Sequence, residues 1–164
     1  MERKMRRFKQ ELPSAETDEI LRNGKECVLA LSGDDYPYAV PINYVYDSGH
    51  IFLHSASQGY KIDALRRNPK LSLCVIEKDD IVPEEFTTYF RSVVVLGTAR
   101  FVDKEQEKID ALQMLCRKYS PGIDPTAEIS KCLKAVTIID ITIDRMTGKE
   151  AIELTRNRLP HSRD

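Results

Sequence analysis

The chain has 164 residues, with 25 basic and 26 acidic side chains and a formal net charge of −1, so no overall field draws it to nucleic acid or to an anionic membrane. At this length a single domain buries roughly 70% of its extended-chain surface and needs no staples to fold. The apolar runs are strand-sized, the basic stretch MERKMRRFKQ has no apolar segment behind it, and Cys27, Cys74, Cys116 and Cys132 form no CxxC pair; together these predict a soluble cytoplasmic protein with reduced thiols and no zinc site.

In chain order, Ser14 is placed to cap a short helix that ends near Asn23 and Gly24, before a β-rich run from Cys27 to Leu31. Gly33, Asp34 and Asp35 supply a turn. From Tyr38 to Tyr46 the pattern alternates, with Val40, Ile42, Tyr44 and Tyr46 on one face, which predicts a strand; Pro41 puts it at a sheet edge or beside a bulge. Tyr44 and Tyr46 read as core, with stacking on a ligand ring as the other use of an edge tyrosine. Asp47, Ser48 and Gly49 turn the chain into a strand from Ile51 to His54. A helix of one or two turns carries Ile62 and Leu65 and stops at Asn68 and Pro69. Strands follow over Leu71 to Ile76 and Arg91 to Val102, separated by a polar loop through Pro83, with Gly97 marking a bulge or barrel bend.

Asp103 and Gln106 have the spacing of a reciprocal cap, and Ile109, Leu112, Cys116 and Tyr119 form one helical stripe. Asp124 and Pro125 begin a second helix, and Val136 to Ile143 is a last strand. These elements predict a mainly β, α+β fold: a small antiparallel barrel of Greek-key type in one domain over residues 1–154, with a helical insertion at 103–133. The tail 155–164, rich in charge and poor in apolar residues, is expected to be loose.

The stretch IFLHSASQGYK, Ile51 to Lys61, carries the chemistry. An apolar strand ends in Ser55, Ala56, Ser57 and Gly59, and Lys61 follows at a helix start. Small side chains let a ligand approach the backbone, whose amides and serine hydroxyls donate hydrogen bonds. A helix amino terminus adds partial positive charge and the lysine a full one, a combination that suits a phosphate. By composition alone the same residues also read as a polar loop with a solvated lysine. His50 reads as a solvated hairpin residue and His161 as part of the tail. Three scattered histidines with no carboxylate at motif spacing predict neither a metal site nor a triad.

The segment IFLHSASQGYKIDALRRNP resembles flavin-binding split barrels of the pyridoxamine phosphate oxidase type, in which a strand, a small-residue loop, a lysine and a closing Asn-Pro surround the FMN phosphate. YAVPINYVY resembles the preceding strand of that family, whose backbone lies along the isoalloxazine ring, and RSVVVLGTARFV a later strand. The histidine of LHSAS and the late MTGKE are similar to the branch linked to nitroimidazole resistance. The resemblance runs from about Ser14 to Glu150. It implies an FMN-binding split barrel in which Val40, Pro41, Ile42 and Asn43, then His54, Ser55, Ala56, Ser57 and Lys61, then Ser92, Val93, Thr147 and Lys149 hold the cofactor. It also implies a homodimer with FMN between subunits, a small-molecule substrate such as a nitro compound, and His54 as the catalytic residue. For His54 the other reading is a strand cap bonded to backbone, and for Thr147 to Lys149 a plain surface turn.

Two departures bear on the substrate. Where the oxidase has a serine and an arginine before its phosphate lysine, this chain has Gly59 and Tyr60, so Lys61, Ser55, Ser57 and backbone amides must carry the phosphate. The tail RNRLPHSRD does not reproduce the oxidase's substrate-binding motif, which argues against pyridoxamine phosphate as substrate. No dinucleotide-binding glycine fingerprint is present, so an electron donor would dock transiently. A non-enzymatic flavin carrier or sensor, a haem protein with a histidine ligand, and a deazaflavin protein stay open as alternatives.

Overall fold

A computed structural model describes residues 5–158. Its centre is one seven-stranded antiparallel sheet, β1 (Glu26–Leu31), β2 (Tyr38–Asn43), β3 (Val45–Asp47), β4 (His50–Ala56), β5 (Lys70–Val82), β6 (Thr87–Phe101) and β7 (Val136–Glu150), in the order β2-β1-β5-β6-β7-β4-β3. Five helices surround it: α1 (Ser14–Asn23), α2 (Tyr60–Arg67), α3 (Glu105–Tyr119), α4 (Thr126–Cys132) and α5 (Ile152–Arg158). The fold is therefore α+β, a split barrel with Greek-key crossing.

The split has a sequence origin. The strand expected to run unbroken from Tyr38 to Tyr46 divides at Tyr44. Its first part pairs with β1 and its second with β4, at opposite ends of the sheet order. Tyr44 is fully buried, and its hydroxyl donates to the carbonyl oxygen of Leu21 at 2.6 Å. Its backbone is thus held at the place where the sheet curls back on itself. β2 is an edge strand, so Pro41 removes no ladder donor that a neighbour needs.

Alternation sorts the side chains. Val75, Val93, Val95, Leu53 and Ile141 point into the main core and are fully buried; each such side chain contributes about 1.5–3 kcal/mol of transfer free energy. A second, smaller core joins Val102, Ala111, Leu112, Ile129 and Ile138 beneath α3 and α4. Gly97 sits at a register shift between β6 and β7. A Cβ there would lie 2.6 Å from the Ile141 methyl and 2.9 Å from the Thr142 carbonyl oxygen, so the close approach of the strands needs glycine. Ser48 and Gly49 turn the β3–β4 hairpin with φ of 49° and 85°, the left-handed pair that matches strand twist.

Several expectations are corrected. β5 and β6 extend past the polar segment as a long hairpin, and only Pro83–Glu85 forms a 3-10 turn between them. β7 continues to Glu150, so Thr147, Gly148 and Lys149 are strand residues paired with β6, not a turn. Asp103 does not cap α3; its N-cap is Lys104, and Gln106 Nε2 instead donates to Asp110 at 2.8 Å. Ser14 is the first residue of α1 and not its cap. α4 starts at Thr126 with Pro125 as its N-cap, one residue later than expected, and Asp124 precedes the cap, accepting from the Thr126 amide at 3.0 Å and its hydroxyl at 2.7 Å. The start of the tail is helical, with Thr155 buried in α5 and donating to the Ala151 carbonyl oxygen at 3.2 Å. Residues 159–164, including His161, lie outside the described residues.

Candidate functional site

Strand β4 delivers His54 and Ser55 to its end, and Ser57 to Gly59 lead into α2. Gly59, at φ 121°, is in a conformation that favours glycine, and space beside its Cα is open. Tyr60 fixes the start of α2. Its hydroxyl accepts from the Asp34 amide at 2.8 Å and its ring lies 5.0 Å from that of Tyr38. The residue that replaces the oxidase's arginine therefore ties the helix to the β1–β2 loop.

Lys61 is half-buried in the first turn of α2, and burial pushes its ammonium pKa below the ordinary lysine value. It makes no ion pair with a described residue. It is thus a partly desolvated cation in the first turn of α2, which follows Ser55 and Ser57 in the chain. Ser55 is half-buried; Ala56 and Ser57 are exposed.

β2 approaches this region from the open side of the barrel. Val40 and Ile42 are half-buried against the main core, while Pro41 and Asn43 face outward. Asn43 and His54 line one cleft with Tyr119. His54 is exposed and makes no hydrogen bond with a described residue, so the strand-capping bond is not formed. The end of α3 braces the same corner. The Tyr44 amide donates to the Tyr119 hydroxyl at 2.9 Å, and Lys118 Nζ donates to the Tyr44 carbonyl oxygen at 3.0 Å while lying 4.0 Å from the Tyr44 ring centre.

Ser92, Val93, Thr147 and Lys149 are elsewhere in the same chain. Ser55 pairs with Thr137 of β7, whereas Val94 pairs with Thr147, ten residues farther along that strand, or roughly 33 Å of extended backbone. Val93 faces the core and is fully buried, leaving only its backbone to a ligand. Ser92, Thr147 and Lys149 share the outer face of the sheet. On that face Val28, Ile76, Val94 and Leu96 are exposed, in register with Pro41 and Cys74.

One interaction escaped the sequence reading. His50 is not simply solvated: its Nδ1 lies 2.8 Å from Asp140 Oδ1, and Arg100 contacts Asp140 Oδ2 through Nε at 2.9 Å and Nη2 at 2.7 Å. Asp140 is almost completely buried. The available signal was an aspartate inside VTIIDITI, since a carboxylate in a buried strand requires partners. Arg100 also meets Glu107 at 3.2 Å, tying α3 to the sheet.

Comparison with known proteins agrees with this architecture. An uncharacterized protein of Rhizobium meliloti is 31% identical over 140 residues, spanning 80% of this chain and 88% of that protein. The crystal structure of a candidate 5-nitroimidazole antibiotic resistance protein from Bacteroides thetaiotaomicron superposes with a TM-score of 0.72 at 24% identity, covering 85% of this chain and 86% of the other. A FAD-binding protein from Mesorhizobium loti superposes with a TM-score of 0.64 at 26% identity, covering 86% and 96%. The profile described as Pyridoxamine 5'-phosphate oxidase matches residues 13–150, and the chain belongs to that family.

Proposed function

We propose that the protein is a flavin-dependent oxidoreductase that holds FMN and reduces a small oxidised molecule of the nitro-compound class. The observation that carries this reading is Lys61: half-buried, without an ion-pair partner among the described residues, and set in the first turn of α2 a few residues after Ser55 and Ser57. Lys61, the two hydroxyls and the amides of the turn would hold the phosphate, and the outward side of β2, Pro41 and Asn43, would meet the ring. When bound, the flavin supplies hydride or electron transfer. The chain's own part is to orient the ring, exclude water and, at His54, position a substrate and deliver a proton. The likeness to the Bacteroides protein and the FAD-binding likeness to the Mesorhizobium protein support a flavin and a nitro substrate. Four free thiols fit a reducing, cytoplasmic location. No helix among the described residues is long and apolar enough to cross a membrane.

The purified protein is expected to be yellow, with two absorbance bands in the blue and near ultraviolet. A single intense Soret band would assign haem instead, and mass spectrometry of the released cofactor separates FMN from FAD and deazaflavin. NADH or NADPH should reduce the bound flavin faster than free FMN; equal rates would make the protein a carrier.

The same reading requires a second subunit. Ser92 on β6 and Thr147 and Lys149 on β7 lie toward the opposite end of β7 from its pairing with Ser55, and they border the exposed apolar strip of Val28, Ile76, Val94 and Leu96. A two-fold pairing across that strip buries it and lets each chain add these residues to its partner's site. Light scattering should give twice the 18.8 kDa chain mass, and Val94→Glu should shift the protein toward the monomer and weaken FMN together. A cofactor-loaded monomer at micromolar concentration would remove the dimer from the proposal.

A further inference from the structure

The interval between β6 and β7 holds α3 and α4, and these helices leave an open cleft against the end of β4. Its volume is about 370 Å³, within the range of small-molecule sites. The floor is apolar, made by Leu112, Leu115, Ile129 and Val136. The wall nearest the Lys61 region carries His54, whose ring has no hydrogen-bond partner among the described residues. The cleft is not a packing fault awaiting collapse, because its walls are tied down independently: α3 by Tyr119 and Lys118 at Tyr44 and by Glu107 at Arg100, and α4 by Ile129, buried in the second core with Val102 and Ile138.

The charge of the lining is one-sided. Among the described residues no lysine or arginine lines it, and Glu128 is its one carboxylate. The nearest cation to Glu128 is Lys131, 3.9 Å away on the solvent side of α4, with both side chains more than 70% exposed; such a pair is weak and screened. Lys118 Nζ lies 5.5 Å from the Tyr119 ring of the wall but is engaged by the Tyr44 carbonyl oxygen at 3.0 Å and by the Tyr44 ring, so an anion entering the cleft would lose hydration and meet no unengaged lysine or arginine in its lining, whereas a neutral or cationic ring would lose little and could meet Glu128.

We infer that this cleft binds a small planar ring compound that is uncharged or cationic, and that it rejects carboxylate- and phosphate-bearing molecules of the same shape. The cation site at Lys61 and the anion-averse cleft at His54 would then sort two different molecules on either side of one strand end. Only the role of the occupant, as the compound to be reduced, rests on the flavin reading; the binding itself does not.

Cys116 and Cys132 line the cleft and are half-buried. The full chain is alkylated with iodoacetamide in the presence of benzamidine, benzamide or benzoate, three rings of one shape carrying positive, zero and negative charge, with free glutathione in the same mixture as the control, and each thiol is followed by mass spectrometry. Benzamidine and benzamide should slow Cys116 and Cys132 several-fold and leave glutathione unchanged, and benzoate should slow none. Glu128→Gln should bring benzamidine down to the level of benzamide. Protection by benzoate equal to that by benzamide, an equal slowing of glutathione, or no protection by any probe would overturn the inference. Flavin content, read from the absorbance of the same samples, separates the two readings. Protection without flavin keeps the cleft and ends the flavin proposal; flavin without protection does the reverse.

Discussion

Lys61→Ala should weaken FMN roughly ten- to a hundredfold while leaving riboflavin almost unaffected. The lost contact is a charge-assisted hydrogen bond to phosphate, about 1.5–3 kcal/mol, and riboflavin has no phosphate to lose it. A general failure to fold would weaken both flavins together, so the comparison isolates the contact. The pH dependence has a defined sign. Burial holds the Lys61 ammonium below its ordinary pKa, so the preference for FMN over riboflavin should be full when the lysine is charged and fade as pH rises through that depressed value. In the absence of an anion the same shift acts against folding: the charged form is disfavoured in the fold, so its cost declines as pH rises between the folded and ordinary values. Lys61→Met should accordingly melt no lower than wild type without ligand, and lower than wild type with FMN. Added salt should narrow the gap between the two flavins. Fluorescence titration of both flavins into both proteins measures all of this, and equal FMN affinity in wild type and Lys61→Ala would show that the phosphate site is elsewhere.

His54→Ala should retain FMN and lose most nitro-reducing turnover, on the order of a hundredfold if the imidazole moves a proton in the transition state. The structure favours a free role for this ring. It is exposed at the end of β4, lines the cleft with Asn43 and makes no hydrogen bond with a described residue. Flavin affinity should hold because, in the proposed site, the phosphate contacts would belong to Lys61, Ser55 and Ser57. The pH profile of turnover distinguishes proton delivery from packing: His54→Ala should change the shape of the profile, whereas a merely spatial role would lower it without changing its shape. Turnover within twofold of wild type would return His54 to a structural position.

Much of the fold was legible because each local rule acted on its own residues. The alternation around Val40 and Ile42, the Ser48–Gly49 turn, Gly97 in a strand and the Asn68–Pro69 stop all appear where their chemistry places them. The errors came where tertiary packing overrides local preference. A turn signal at Thr147 to Lys149 is drawn into β7 because β6 offers a continuous partner. The Asp103–Gln106 spacing yields no reciprocal cap, because α3 begins one residue later than that cap requires.

The candidate site divides along the same line. Sequence by itself determined its chemistry: a lysine after Ser-Ala-Ser at a strand end, a histidine just before it, and an edge strand marked by proline, all of them local patterns of at most a dozen residues. Tertiary structure alone decided what those residues meet. Tyr44 is one more alternating residue in the sequence, yet its burial and its bond to Leu21 break the strand and bring Asn43 beside His54. Asp140 is charged in any sequence, but only the sheet register places it between His50 and Arg100. That β7 meets Ser55 at Thr137 and Val94 at Thr147, ten residues apart, is likewise invisible in one dimension. Pairing across strands joins residues far apart in the chain and separates others that a motif groups together, and that pairing is fixed by how the whole core packs.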